Sequence, residues 1–135
     1  MATLALATAD RIEVVEWGEQ KTLTAAADIT AGTFVREDAS GNWVQALATT
    51  ATNAAGARLA LRTVKTGEAL TAMKSGTVSG FTVPQAHNAS LYISDTGTLA
   101  DAAGTVSVVV ARVRAARANL VATVADKVVT IDCPV

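Results

Sequence analysis

What this chain has little of narrows its chemistry first. Its 135 residues include one histidine, His87, and one cysteine, Cys133. His87 has no Cys, Asp or Glu near it in sequence, so it reads as a loop histidine rather than a catalytic base. A metal site needs several ligands, and none is visible; neither a metal nor any other cofactor is expected. A single cysteine cannot make an intramolecular disulfide. Cys133, near the end of the chain, reads as a small apolar residue in a reducing compartment, with an intermolecular disulfide as the alternative. Aromatics are 4% of residues although hydrophobics are 50%. The core must therefore come from small β-branched and aliphatic side chains, and oligomerisation would supplement it. No glycine-rich phosphate loop is present.

The remaining absences concern partners and location. No run approaches the roughly 20 apolar residues that a membrane helix needs. The first ten residues lack the basic region and the apolar length of a signal peptide. The chain thus reads as soluble, made in the cytoplasm, and without a membrane partner. Its net charge of −1 argues against nucleic acid, whose binders usually carry a strong basic patch.

What is present is Ala, Thr, Val and Gly in short runs broken by turns. Strand composition is expected at residues 11–17, 21–25, 33–37, 42–47, 58–64, 68–73, 77–83, 90–93 and 105–113, with a hairpin of 119–124 and 127–131. Turns are expected at 18–20, 28–32, 38–41, 65–67, 74–76, 94–97 and 101–104. Residues 48–57 read as a surface loop, with a one-turn helix as the alternative. Such short strands at roughly 8–12-residue spacing are the pattern of an all-β sandwich or barrel. The expected fold is all-β, a single compact β-barrel or β-sandwich. Residues 11–135 form the domain, preceded by an extended N-terminal arm over residues 1–10.

Within the run at 105–113, Val106, Val108 and Val110 share a parity with Arg112 and Arg114. Either a bulge near Ala111 shifts the face, or that end of the strand leaves the core.

Three features invite a functional reading. Asp95-Thr96-Gly97 matches the aspartic-protease triplet, whose chemistry needs two carboxylates sharing a proton. Only 38 residues follow it, with no flap-like or second apolar segment, and the triplet is also an ordinary turn. Arg112, Arg114 and Arg117 form a small basic cluster; with Arg11, Arg58 and Arg62 they could face an acidic partner or be a solvated surface. Trp17 and Trp43 are each a core anchor or an interface hot spot. The arm, with Leu4 and Leu6 and no charge before Asp10, looks able to order as an added strand on a partner's sheet edge.

The stretch Ala27-Asp28-Ile29-Thr30-Ala31-Gly32-Thr33-Phe34-Val35, followed by Gly41-Asn42-Trp43-Val44-Gln45-Ala46, resembles the opening hairpin of capsid decoration (cement) proteins of tailed bacteriophages. Ala89-Ser90-Leu91-Tyr92-Ile93 with Gly97-Thr98-Leu99, and the run at 108–113, resemble the later half. The likeness covers most of residues 25–115. Where the family usually has a Gly-x-Ala, this chain has Val109-Val110-Ala111.

The resemblance implies a β-barrel, β-tulip or jelly-roll domain without enzymatic activity. It would dock on the outer surface of the capsid, against the major capsid protein, and stabilise the shell in the virion. It implies a homotrimer or homodimer. Leu4, Leu6, Arg112, Arg114 and Arg117 are the expected contact residues. Two alternatives stay open: an all-β binding module of a phage tail or receptor-binding structure, and a hydrolase.

Overall fold

The computed structural model describes residues 3–6, 10, 12–115 and 127–134. Within them lie eleven strands and one four-residue helix: β1 (Glu13–Trp17), β2 (Gln20–Thr24), β3 (Phe34–Glu37), β4 (Trp43–Gln45), α1 (Ala51–Ala54), β5 (Arg58–Ala60), β6 (Ala69–Met73), β7 (Ser75–Ser79), β8 (Ser90–Ile93), β9 (Leu99–Ala100), β10 (Val109–Ala115) and β11 (Lys127–Asp132). They form two antiparallel sheets. One has six strands in the order β1-β7-β11-β10-β8-β9, the other five in the order β2-β6-β5-β3-β4. The sheets pack as a β-sandwich and do not close into a barrel, so the sandwich half of the expectation holds.

The main core lies between the sheets. Leu91, Ile93, Val113, Val129 and Ile131 from the six-stranded sheet meet Phe34, Leu59 and Met73 from the other. Alternation sorts β3 and β5 cleanly: Phe34 and Leu59 point into this core, while Val35 and Ala60 point the opposite way. That second face is buried too. Val35, Trp43, Ala60, Leu70 and Ala72 pack beneath Ala25, Ile29 and Val64 from the connecting loops. Trp43 anchors this smaller cluster, and its Nε1–H donates to the Leu70 carbonyl oxygen at 2.8 Å. A buried indole N–H needs such a partner.

The chain crosses between the sheets twice at one corner. β1 runs into β2 through Gly18 and Glu19, while β6 runs into β7 through Lys74. β1 pairs with β7 and β2 with β6, so the two crossings lie side by side. Residues 74–76, expected as a turn, are instead this crossing and the start of β7. Gly76 is needed there for room: a Cβ would lie 2.6 Å from the Glu16 carbonyl oxygen, and its φ is +138°. A glycine can signal close approach of backbones as well as a turn.

The bulge alternative for the run at 105–113 is the one observed. The register between β10 and β8 shifts between Val109 and Ala111. Val110 and Ala111 are consecutively buried, after which Val113 faces the core and Arg112 lies outside. The strand itself spans Val109–Ala115, starting later than expected. Residues 58–64 were expected as one strand, but β5 ends at Ala60; beyond it Val64 turns back to bridge Ile29. The helical option for 48–57 is realised as α1, capped by Thr50, whose Oγ1 accepts from the Asn53 N–H at 3.1 Å. β11 pairs with β10 on one side and β7 on the other; the expected partner at 119–124 lies outside the described residues.

Candidate functional site

Residues 3–6 do not stand away from the domain as a free arm. Thr3 bridges Ala100, and Leu6 bridges Phe81. The Leu4 N–H donates to the Leu99 carbonyl at 2.8 Å, and Thr82 N–H donates to the Ala5 carbonyl at 2.7 Å. The Leu4 side chain is buried in the main core. Leu6 is half-buried beside Gly32 and Phe81, over a depression of about 320 Å³. This corrects the expectation for Leu4: it is spent on its own fold and offers no surface to a partner. The cause is long-range. Strand β9 has an outer edge that needs covering, and residues 3–4 supply the backbone groups for it.

The sheet edges are treated unequally. β9 is covered by Thr3 and Leu4. The edge of β4 is partly covered by Ala25 and Ala26, the Ala26 N–H donating to the Trp43 carbonyl at 2.9 Å. β1 and β2 are consecutive in the chain and lie at the same side of their two sheets. Among the described residues, neither has a strand on its outer side. On β1 the register slips between Val14 and Glu16. Val15 is 60% exposed and Trp17 58% exposed. Trp17 stands opposite Gly76, which has no side chain to cover the indole. Of the two tryptophans, Trp43 is therefore the core anchor and Trp17 the surface residue.

The second surface feature is on the outer face of the six-stranded sheet. Glu16, Thr77, Thr130, Arg112 and Ser90 lie opposite one another in a row across five strands. Arg112 is exposed and Arg114 half-buried. Both reach the same loop residue: the Arg112 guanidinium donates to the Asn88 carbonyl at 3.4 Å, and that of Arg114 donates to Asn88 Oδ1. Asn88 is held in the left-handed region at φ +68°, and its N–H donates to the Val113 carbonyl at 2.8 Å. Among the described residues, neither arginine has a carboxylate within ion-pair distance. A shallow depression of about 260 Å³ lies here, lined by Val109, Ala111, Arg112, Arg114, Thr130 and Asp132. Val109 is 40% exposed. Arg11 and Arg117 lie outside the described residues; Arg58 starts β5 in the other sheet and Arg62 follows that strand, its guanidinium donating to the Ala69 carbonyl at 2.8 Å, so neither of these two joins Arg112 and Arg114.

The remaining sequence candidates have structural places. Asp95 is a clamp between two turns. Its Oδ1 accepts from the Thr105 N–H at 2.7 Å and its Oδ2 from the Thr105 hydroxyl at 2.8 Å. These bonds, the backbone one foremost, hold its carboxyl below the ordinary 3.8. A carboxylate so engaged stays ionised, the reverse of one that must share a proton. Gly104 makes the clamp possible, because a Cβ there would lie 2.5 Å from Asp95 Oδ1. His87 is exposed on its loop. Cys133 is buried in the main core with its thiol free. Burial pushes its pKa from the ordinary 9.0 up to about 12, so the buried thiol is poorly placed for an intermolecular disulfide. Among the described residues no group of three or more His, Cys, Asp or Glu could hold a metal ion. None of their helices is long and apolar enough to cross a membrane.

The arrangement thus offers surfaces: an uncovered acidic edge bearing a tryptophan, and a polar face bearing an arginine pair. Exposed Trp17 could not be distinguished from buried Trp43 by composition. No protein-family model, curated protein or solved structure matches this chain.

Proposed function

We propose that the chain is a structural capsid decoration (cement) protein. It binds the outside of a phage head, against the major capsid protein, and stabilises the shell. The observation that carries this reading is how the resembling residues fold. The stretches 27–35 and 41–46 supply the start of β3 and all of β4, which pair as a hairpin with Val35 facing Gln45. Phe34, Val35, Trp43 and Ala46 are all buried, so the likeness falls on residues that build the sandwich. A small all-β domain of this kind suits a role of adding stiff contacts to an existing shell. The contact surface of the reading is now narrower than the sequence suggested, since Leu4 is internal.

The test is direct. Purified protein is mixed with expanded phage capsids that lack a decoration protein, and co-sedimentation and heat resistance are measured. Saturable binding with a higher temperature of capsid disruption supports the reading. Absence of binding, with the protein shown folded by circular dichroism, refutes it.

A further inference from the structure

Among the described residues, three large apolar side chains are prominently exposed: Val15, Trp17 and Val109. They fall in two places of opposite charge. Val15 and Trp17 sit on β1 on either side of Glu16. Val109 sits on β10 beside Arg112 and Arg114, in the depression described above. Glu16 and Arg112 are on the same cross-strand row, separated by β7 and β11. Three strand spacings put them roughly 14 Å apart, too far to neutralise each other within one chain.

We propose that these two patches are the two halves of one interface, joining copies of this chain head to tail. The β1 edge of one copy, with Glu16 and the terminal Trp17 projecting from its two sides, docks on the Val109–Arg112–Arg114 face of the next. Among the described residues the two guanidiniums have no carboxylate within ion-pair distance, Asp132 of the same depression included; Glu16 of the next copy supplies one, and the exposed indole meets the exposed valine. Aromatic and arginine side chains are the usual energetic centres of interfaces. Because the two halves differ, the contact is heterologous, and repetition gives a closed ring or an open chain.

The competing arrangement is edge-to-edge pairing of β1 with β1 about a two-fold axis. Centred on Val15, it sets the two Glu16 side chains diagonally across the new strand pair, within reach of each other, so like charge is brought toward like charge with no cation supplied. The β1 bulge also disrupts such a ladder, a device that protects edges from strand addition. A head-to-tail contact needs no continuous ladder and is indifferent to the bulge.

Two variants test this, each altering one patch at exposed residues. Glu16→Lys with Trp17→Ser disables the edge; Val109→Ser with Arg112→Glu disables the face. Analytical ultracentrifugation at low salt should show the wild-type chain assembled and each variant monomeric, with affinity lowered by at least about a hundredfold, equivalent to about 2.7 kcal/mol. Mixed in equal amounts, the two variants retain one good edge and one good face between them. They should form a dimer of one copy each and nothing larger. That dimer also shows that both variants are folded. A monomeric wild-type chain, variants that assemble like the wild type, or a mixture that stays monomeric overturns the proposal. Dimers of the edge variant alone do so as well. Capsids take no part in this measurement, so its outcome is separate from the capsid reading.

Discussion

Replacing Leu4 by alanine should destabilise the domain although residue 4 is almost at the chain's start. The side chain is 5% exposed and belongs to the main core. Leu→Ala changes in cores cost about 2–5 kcal/mol, depending on how far the site collapses. Leu4 borders an open depression, so its surroundings can relax, and the lower part of the range applies, about 2–3 kcal/mol. Leu6 is half-buried at the rim of the same depression, and Leu6→Ala should cost about 1 kcal/mol. Urea unfolding followed by tryptophan fluorescence reads both changes. With a slope of about 1.5 kcal/mol/M, the midpoint should fall by roughly 1.5 M for Leu4→Ala and by about half that for Leu6→Ala. The backbone bonds of residues 3–6 remain in both variants, so the difference isolates side-chain burial. A Leu4→Ala midpoint within experimental error of wild type would show that residues 3–6 do not dock on the domain in solution. Equal effects of the two substitutions would refute the assignment of Leu4, rather than Leu6, to the core.

Other outcomes follow from individual groups. Cys133 should resist thiol reagents in the native state and react on unfolding. Its folded pKa is raised, so its contribution to stability is complete below about pH 9 and is lost as pH rises toward 12; Cys133→Ala should flatten that alkaline decline in a thermal-melt series. Asp28 is held below its ordinary 3.8 chiefly by the backbone N–H of Thr66, as Asp95 is by Thr105. Both contributions are present above that pH and lost as pH falls through the lower folded values, so Asp28→Asn and Asp95→Asn should each shallow the acid limb of the same series. Gly76→Ala should cost more than Gly41→Ala in urea titrations. Both have positive φ, but a Cβ at Gly41 meets nothing within 4 Å, whereas one at Gly76 meets the Glu16 carbonyl. Equal costs would show that no close approach exists at the corner.

Local chemistry explains which parts of the fold were legible in the sequence. β8 and the turns at 94–97 and 101–104 were readable because β-branched and aromatic residues alternate with turn residues over a few positions. The parity conflict around Ala111 was visible as a conflict, and only the pairing of Val109 with Tyr92 and Ala111 with Leu91 resolves it as a bulge. β9 is two residues long and exists because Ile93 and Tyr92 pair with it; nothing local marks it. The place of Leu4 depends on Leu99, ninety-five positions away in the chain, so a run without cap or periodicity looked free. For the surfaces, Arg112 and Arg114 were recognised as a cluster with Arg117, which lies outside the described residues, while Trp17 and Trp43 were left undivided. What separates them is the partner: Leu70 offers Trp43 a carbonyl, and Gly76 offers Trp17 nothing.

The double crossing at Gly18–Glu19 and Lys74 has a consequence for how the sandwich comes apart. Lys74 N–H donates to the Glu19 carbonyl at 2.8 Å, and the Cys133 N–H donates to the Lys74 carbonyl at 2.9 Å. One short seam thus ties together β1, β2, β6, β7 and the end of β11, which belong to both layers. β2 keeps its own ladder on β6, but peeling β1 from β7 pulls directly on this seam, where β1 continues into β2 and β6 into β7. Amide exchange at the seam should therefore proceed through an opening that exposes both layers together, and the two sheets should melt as one unit despite their separate apolar clusters.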